Sequence, residues 1–187
     1  MAASSEVAAM LTEAFLDLPT AQWLVADVDE RRKAVLGQFE ILTAHAEAHG
    51  GIATAGDLDG AVVWFDHTTP PAPIPDYDER LRAACGEHTS RFAHLDKLME
   101  HHHPSEPHVY VALVGVRRER RGEGLATAML DEVHAGLDRA RTSAYLEAVS
   151  PETAALYGSL GYRTHARPFH LEKGGPALYP MWRHPAR

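Results

Sequence analysis

One cysteine in 187 residues leaves Cys85 without a partner, so no intrachain disulfide can form and a reducing, cytoplasmic setting is expected. Positive charge is also scarce. Eighteen Lys and Arg stand against 26 Asp and Glu, a formal net charge of -8. Such a chain is a poor match for a phosphate backbone, which argues against general nucleic-acid binding and is compatible with a cationic small molecule. Long apolar runs are missing too: nothing approaches the roughly 18 residues of a membrane span. The start "MAASSEVAAMLTEAF" lacks the basic opening and apolar core of a secretion signal. There is no internal repeat, no HExxH and no Cys/His spacing of the zinc type. Thirteen histidines are nevertheless present.

The length suits one domain, spanning 1–187, with alternating helical and β-prone stretches. Val7, Met10, Leu11, Ala14 and Phe15 recur at helical spacing and predict a helix over 5–17. "DLPTAQWLV" reads as a Pro-containing turn. A second helix is expected from about Glu30 to His49, with Val35, Phe39, Leu42 and Ala46 inward and Gly50 and Gly51 ending it. "GIATAG" and "GAVVWF" flank "DLDG" as a hairpin, and Trp64 reads as core. Prolines 70, 71, 73 and 75 make an extended loop, and 77–101 one or two helices with Phe92, Leu95 and Leu98 at core spacing. "HVYVALVGV" is a central strand, 122–140 a helix with Leu125, Met129, Val133 and Leu137 on one face, and "SAYLEAV" another strand. Ser150, Pro151 and Gly161 bound a further helix, and "RTHARPFHL" with "ALYPMWR" reads as a closing hairpin.

The most informative stretch is "VGVRRERRGEGLATAML", residues 114–130. A strand running through a glycine turn into a helix start aims free backbone N–H groups and the positive end of the helix dipole at one point, an anion site. Walker A is excluded, since no Gly-Lys is followed by Ser or Thr. Thr127 stands where the dinucleotide fingerprint needs Gly or Ala. On composition alone the four arginines are as readily a solvated turn, and Glu119 and Glu123 interrupt any nucleic-acid patch.

These residues carry a resemblance. The segment is similar to the acetyl-CoA-binding motif of the GNAT superfamily of N-acetyltransferases, Gln or Arg, two residues, Gly, one residue, Gly or Ala. Arg121, Gly124 and Ala126 fill its places. "YLEAVSPETAALYGSLGY" resembles the later strand and helix of the family through Leu156, Tyr157, Gly161 and Tyr162, with Thr153 where Asn is usual. "HHPSEP", "YLEAVSP" and "GGPALYPMWRHP" are similar to the antibiotic-modifying branch that includes the puromycin N-acetyltransferases.

The resemblance implies an α+β fold, a GNAT-type mixed β-sheet with helices on both faces, splayed at the coenzyme strand. Family members place a strand before the first helix. This chain starts almost at the helix, so that edge strand is expected to be missing, and an open edge favours a homodimer. Acetyl-CoA is the implied co-substrate. Its pyrophosphate would meet the amides of Gly122, Glu123, Gly124, Leu125, Ala126 and Thr127 beside Arg121. Its pantetheine would lie along Val114, Gly115 and Val116, and Thr153 would replace the Asn contact. Acetyl transfer to an amine needs a base and an acid. Glu147, in an apolar strand, is the implied base, and Tyr157 the implied acid towards the leaving thiolate. From residues alone, Glu147 is equally a solvent-facing strand residue and Tyr157 a half-buried aromatic.

The acceptor is expected to be a primary amine on a small molecule, such as an antibiotic or aminonucleoside. The alternatives are a protein N-terminal or lysine acetyltransferase and a non-catalytic acyl-CoA-binding protein. Asp66, Asp76, Asp78 and Glu79 around the Pro-rich loop are candidates to attract an ammonium group, or are simply a solvated acidic loop. His102 and Glu106 match a histidine and a glutamate of the similar segment in the antibiotic-modifying branch, which makes either a candidate to line the acceptor pocket. Side chains of the consecutive His101, His102 and His103 diverge and cannot form a compact tetrahedral site without other ligands, so a polar helix end and no metal are expected.

Overall fold

The computed structural model describes residues 3–186. The order is α1 (Ser4–Phe15), α2 (Pro19–Leu24), α3 (Val28–His49), β1 (Gly50–Ala55), β2 (Gly60–His67), α4 (Tyr77–Cys85), α5 (Thr89–His102), β3 (His108–Val116), α6 (Leu125–Arg139), β4 (Ala144–Ala148), α7 (Pro151–Ser159), β5 (Arg163–Thr164), β6 (Phe169–His170) and β7 (Ala177–Arg183). The strands form a seven-stranded mixed sheet in the order β1-β2-β3-β4-β7-β5, with β6 also on β7. β3 and β4 are parallel and joined by the α6 crossover, while the other pairs are antiparallel. No strand precedes α1 among the described residues, and β1 forms the sheet edge.

Strand alternation sorts side chains to two buried clusters. Val63 and Phe65 of β2 pack under α1, α3, α4 and α5 with Leu11, Val35, Phe39, Leu81 and Phe92. Val62, with Val111, Leu146 and Met181, packs against Met129, Leu130 and Val133 of α6. Helices therefore cover both faces. Asp27 starts α3 by accepting the amides of Asp29 and Glu30, both at 3.0 Å. On the far side, Arg183 makes a two-pronged pair with Asp138 at 2.7 and 2.8 Å and ties β7 to the end of α6.

Two local readings are corrected. "PTAQWL" is a short helix rather than a turn, because Pro19 falls at the helix start, where its missing N–H costs nothing. The first arm of the closing hairpin is two separate bridges: Arg163–Thr164 on Trp182 and Met181, and Phe169–His170 on Leu178 and Ala177. Pro168, just before the second bridge, brings no N–H to a ladder.

Candidate active site

At the C-terminal end of β3 the chain turns through Gly122 (φ 85°) and Gly124 (φ 81°) into α6. Both glycines are in the left-handed region that side chains resist, and both face open space. The first turn-to-turn bond of α6 is donated by Ala128 to Gly124 O at 3.0 Å, and no side chain caps the helix. The amides of Leu125, Ala126 and Thr127 thus lie ahead of that bond and point outward.

The arginines of this turn are engaged by the protein itself. Arg120 binds Asp59 at 2.7 Å and Glu123 at 2.8 Å. Arg121 donates to Ala14 O of α1 at 2.8 Å, and Arg117 donates to Leu58 O at 2.9 Å. The β1–β2 hairpin tip and the end of α1 therefore clamp the turn, leaving main-chain N–H groups and the exposed guanidinium of Arg121 as its anion-facing chemistry.

β3 meets β4 only at Val109↔Ala144 and Tyr110↔Tyr145, then diverges from it. On its other edge β3 stays paired with β2 as far as Val116, with an irregularity at Val63/Trp64 that leaves Ala112 out of the ladder. The β4-facing edge of Val114, Gly115 and Val116 is therefore open. A Cβ on Gly115 would come within 2.6 Å of Leu11 and 3.2 Å of Ala14, so this glycine is fixed by the packing of α1.

Below the divergence lies a cavity of about 460 Å³, walled by α1 to α5, the Pro-rich loop and the sheet. Its lining is mostly apolar, with Phe15, Phe39 and Phe65 among the aromatic groups and Asp96, Glu100 and Glu147 as carboxylates. Glu147 Oε1 is buried without a hydrogen-bond partner, as is the neighbouring Tyr145 Oη. Burial raises the Glu147 carboxyl to about 7, partly opposed by the Tyr145 and Tyr110 phenols beside it. Asp96 accepts from Tyr77 Oη at 2.9 Å, and burial raises it to about 6.

Tyr157 of α7 is half-buried, packs against the cluster under α6 and meets Tyr162 edge-on with ring centroids 5.9 Å apart. Burial pushes its phenol up to about 12, leaving it a protonated donor at neutral pH. Thr153 is occupied locally. Its hydroxyl donates to Ser150 O and accepts from Ser150 N, both at 3.0 Å, closing the capping box of α7.

The acidic loop residues do not line the cavity. Asp66 instead accepts from Thr68 N and Oγ1 at 2.8 and 2.6 Å. His102 stacks on Phe169 at 3.9 Å, away from the cavity, and Glu106 gives its carbonyl oxygen to His108 Nδ1 at 2.7 Å. His103 does line the cavity, with His67. Asp96 was open to sequence reading: Phe92, Leu95, Asp96 and Met99 follow i, i+3, i+4, i+7 spacing, which puts an acid on the buried face of α5.

No protein-family model matches the chain. Among solved structures, it is similar to a Corynebacterium glutamicum protein titled histone acetyltransferase HPA2 and related acetyltransferase. That match is 28% identical over 97% of this chain and 91% of the other, with a TM-score of 0.66. An agmatine N-acetyltransferase (18% identity, 78% and 80% covered, TM-score 0.55) shares the fold. So does a Desulfovibrio desulfuricans protein assigned to the GNAT family (13%, 89% and 91%, 0.51). The chain has the fold of the GNAT acetyltransferases and is an acyltransferase of that architecture. No helix among the described residues is long and apolar enough to cross a membrane.

Proposed function

We propose that this chain, acting as one catalytic domain, transfers the acetyl group of acetyl-CoA to a primary amine on a small molecule with an apolar or aromatic body. The observation that carries this reading is the opening between β3 and β4 beside a carboxylate, Glu147, whose buried Oε1 has no hydrogen-bond partner in a mostly apolar cavity. The amides at the start of α6 bind the pyrophosphate as an anion, and the free edge of β3 pairs with the pantetheine arm. Carboxylates in an otherwise apolar cavity favour an incoming ammonium group.

Glu147, poised near 7, takes the proton that the ammonium must lose before it can attack. The amine nitrogen then bonds to the thioester carbonyl carbon and the C–S bond breaks. Tyr157 gives its proton to the departing thiolate, and the amine's second proton restores the phenol through solvent. An aminonucleoside or another amine-bearing antibiotic fits this description, with resistance as the biological outcome. A second copy would add its strand at the edge formed by β1.

The test is thiol release from acetyl-CoA across a panel of amines, puromycin and a lysine peptide included, with product masses checked. Acetylation of one small apolar amine is expected. Preference for the peptide would favour a protein acetyltransferase, the activity named for the C. glutamicum protein. Tight coenzyme binding with no transfer to any amine would favour a binding protein.

A further inference from the structure

We propose that His67, His103 and His108 form a three-histidine site for a divalent transition-metal ion of the zinc class, bordering the acceptor cavity. His67 and His108 are cross-strand partners of β2 and β3, so their side chains share a face of the sheet. His103 follows α5 and enters between them. Its Nε2 is 2.9 Å from His67 Nδ1 and 3.0 Å from His108 Nε2, and the three nitrogens lie within 4.8 Å of one another. His103 thus leaves the helix-end triplet and gains partners from two strands.

Protons alone do not satisfy this arrangement. His108 Nδ1 is 2.7 Å from Glu106 O. A carbonyl only accepts, so Nδ1 carries the hydrogen and Nε2 of the neutral ring is a lone pair. If His103 Nε2 bears a hydrogen, it serves His108 and has none left for His67. If it bears a lone pair, His67 can donate to it, but two lone pairs then face each other at 3.0 Å. An imidazolium would supply the missing proton, yet among the described residues no carboxylate is ion-paired with any of the three rings to offset its charge.

A cation accepting all three lone pairs removes the conflict. Tetrahedral zinc with Zn–N near 2.0–2.1 Å separates its nitrogens by about 3.3 Å, a few tenths of an ångström wider than the two close approaches here. The Glu106 carbonyl is the kind of outer partner that fixes the tautomer and orientation of a ligating histidine. Because His67 and His103 also line the cavity, the fourth coordination position belongs to it and would take a water or an oxygen or nitrogen donor of the acceptor. The site stands whether or not the cavity receives an amine.

The untagged full chain is titrated with zinc against a chromogenic chelator, and with cobalt for the visible absorption of a tetrahedral site. One equivalent per chain is expected, with a tetrahedral cobalt spectrum. His103→Ala and His67→Gln should each weaken binding by at least about 100-fold, the upper end of what losing an outer partner costs. His101→Ala (exposed) and His88→Ala, which removes the histidine of a separate cluster with Glu30 and Glu87, should leave it unchanged. Circular dichroism confirms that each variant folds, and two single variants guard against failure of one. Absence of stoichiometric binding, or binding that survives both triad variants, would overturn the proposal. So would binding lost only with His88.

Discussion

The two ends of β3 offer a ligand different kinds of group. At its C-terminal end the array is main-chain amides held by the fold: Arg120 is ion-paired to Asp59 and Glu123, and Arg121 is anchored on the Ala14 carbonyl. At its N-terminal half the main chain is paired and the available chemistry is side-chain: Glu147, Asp96 and the histidines. A main-chain site tolerates much sequence change provided φ and the helix start are kept. A side-chain site is specific and fragile, since each group has had its proton affinity set by burial.

That contrast is best broken at Glu147. Glu147→Gln keeps the shape and removes the base, so kcat/KM should fall about 10³-fold, within the range for general base catalysis, with coenzyme affinity unchanged. In the parent protein kcat/KM should rise about tenfold per pH unit up to about 7 and level off above it, because the carboxylate is the active form and its pKa is raised. The rise should vanish in the variant. Tyr157→Phe should lower kcat about 10²-fold and leave coenzyme binding intact, which steady-state kinetics with isothermal titration would show.

Arg183→Met, which lines neither the cavity nor the glycine turn, sets the baseline: about 2 kcal/mol of stability lost, the scale of hydrogen bonds to a charged group, with kinetics unaltered. The guanidinium holds Asp138 down to about 2. The contribution of this pair is therefore complete above the ordinary value of 3.8 and disappears as pH falls through about 2, so denaturation curves of parent and variant should converge in acid. The smallest effect should come at the main-chain end. Gly124→Ala places a Cβ at φ 81°, costs about 1 kcal/mol and should weaken coenzyme binding roughly tenfold or less by equilibrium titration.

The same division governs what can be read from the sequence. The turn is local: a strand, two glycines and a helix start lie within residues 108–139, and their order implies the amide array without knowledge of the fold. The engagement of its arginines is not legible, because Asp59 and Ala14 are brought in by distant segments. Glu147 stands out as one acid in an apolar strand, though nothing local says that it faces a cavity rather than solvent. The convergence of His67, His103 and His108 needs the register of β2 on β3, which the sequence pattern does not specify to the residue. Around Pro19 the sequence alone does not separate turn from helix, because proline both breaks and begins helices and six residues are too few to show a period.

The internal ion pairs of Arg120 and the acidic balance of the chain have a kinetic consequence. With Arg120 paired internally and a net charge of -8, the protein as a whole presents no long-range attraction to an anionic coenzyme. Encounter between the two is opposed at a distance and rewarded only on contact, once phosphate oxygens reach the amides. Added salt, by shortening the range of that repulsion, should speed capture rather than slow it. This is the reverse of the steering found where a basic rim draws a phosphate in.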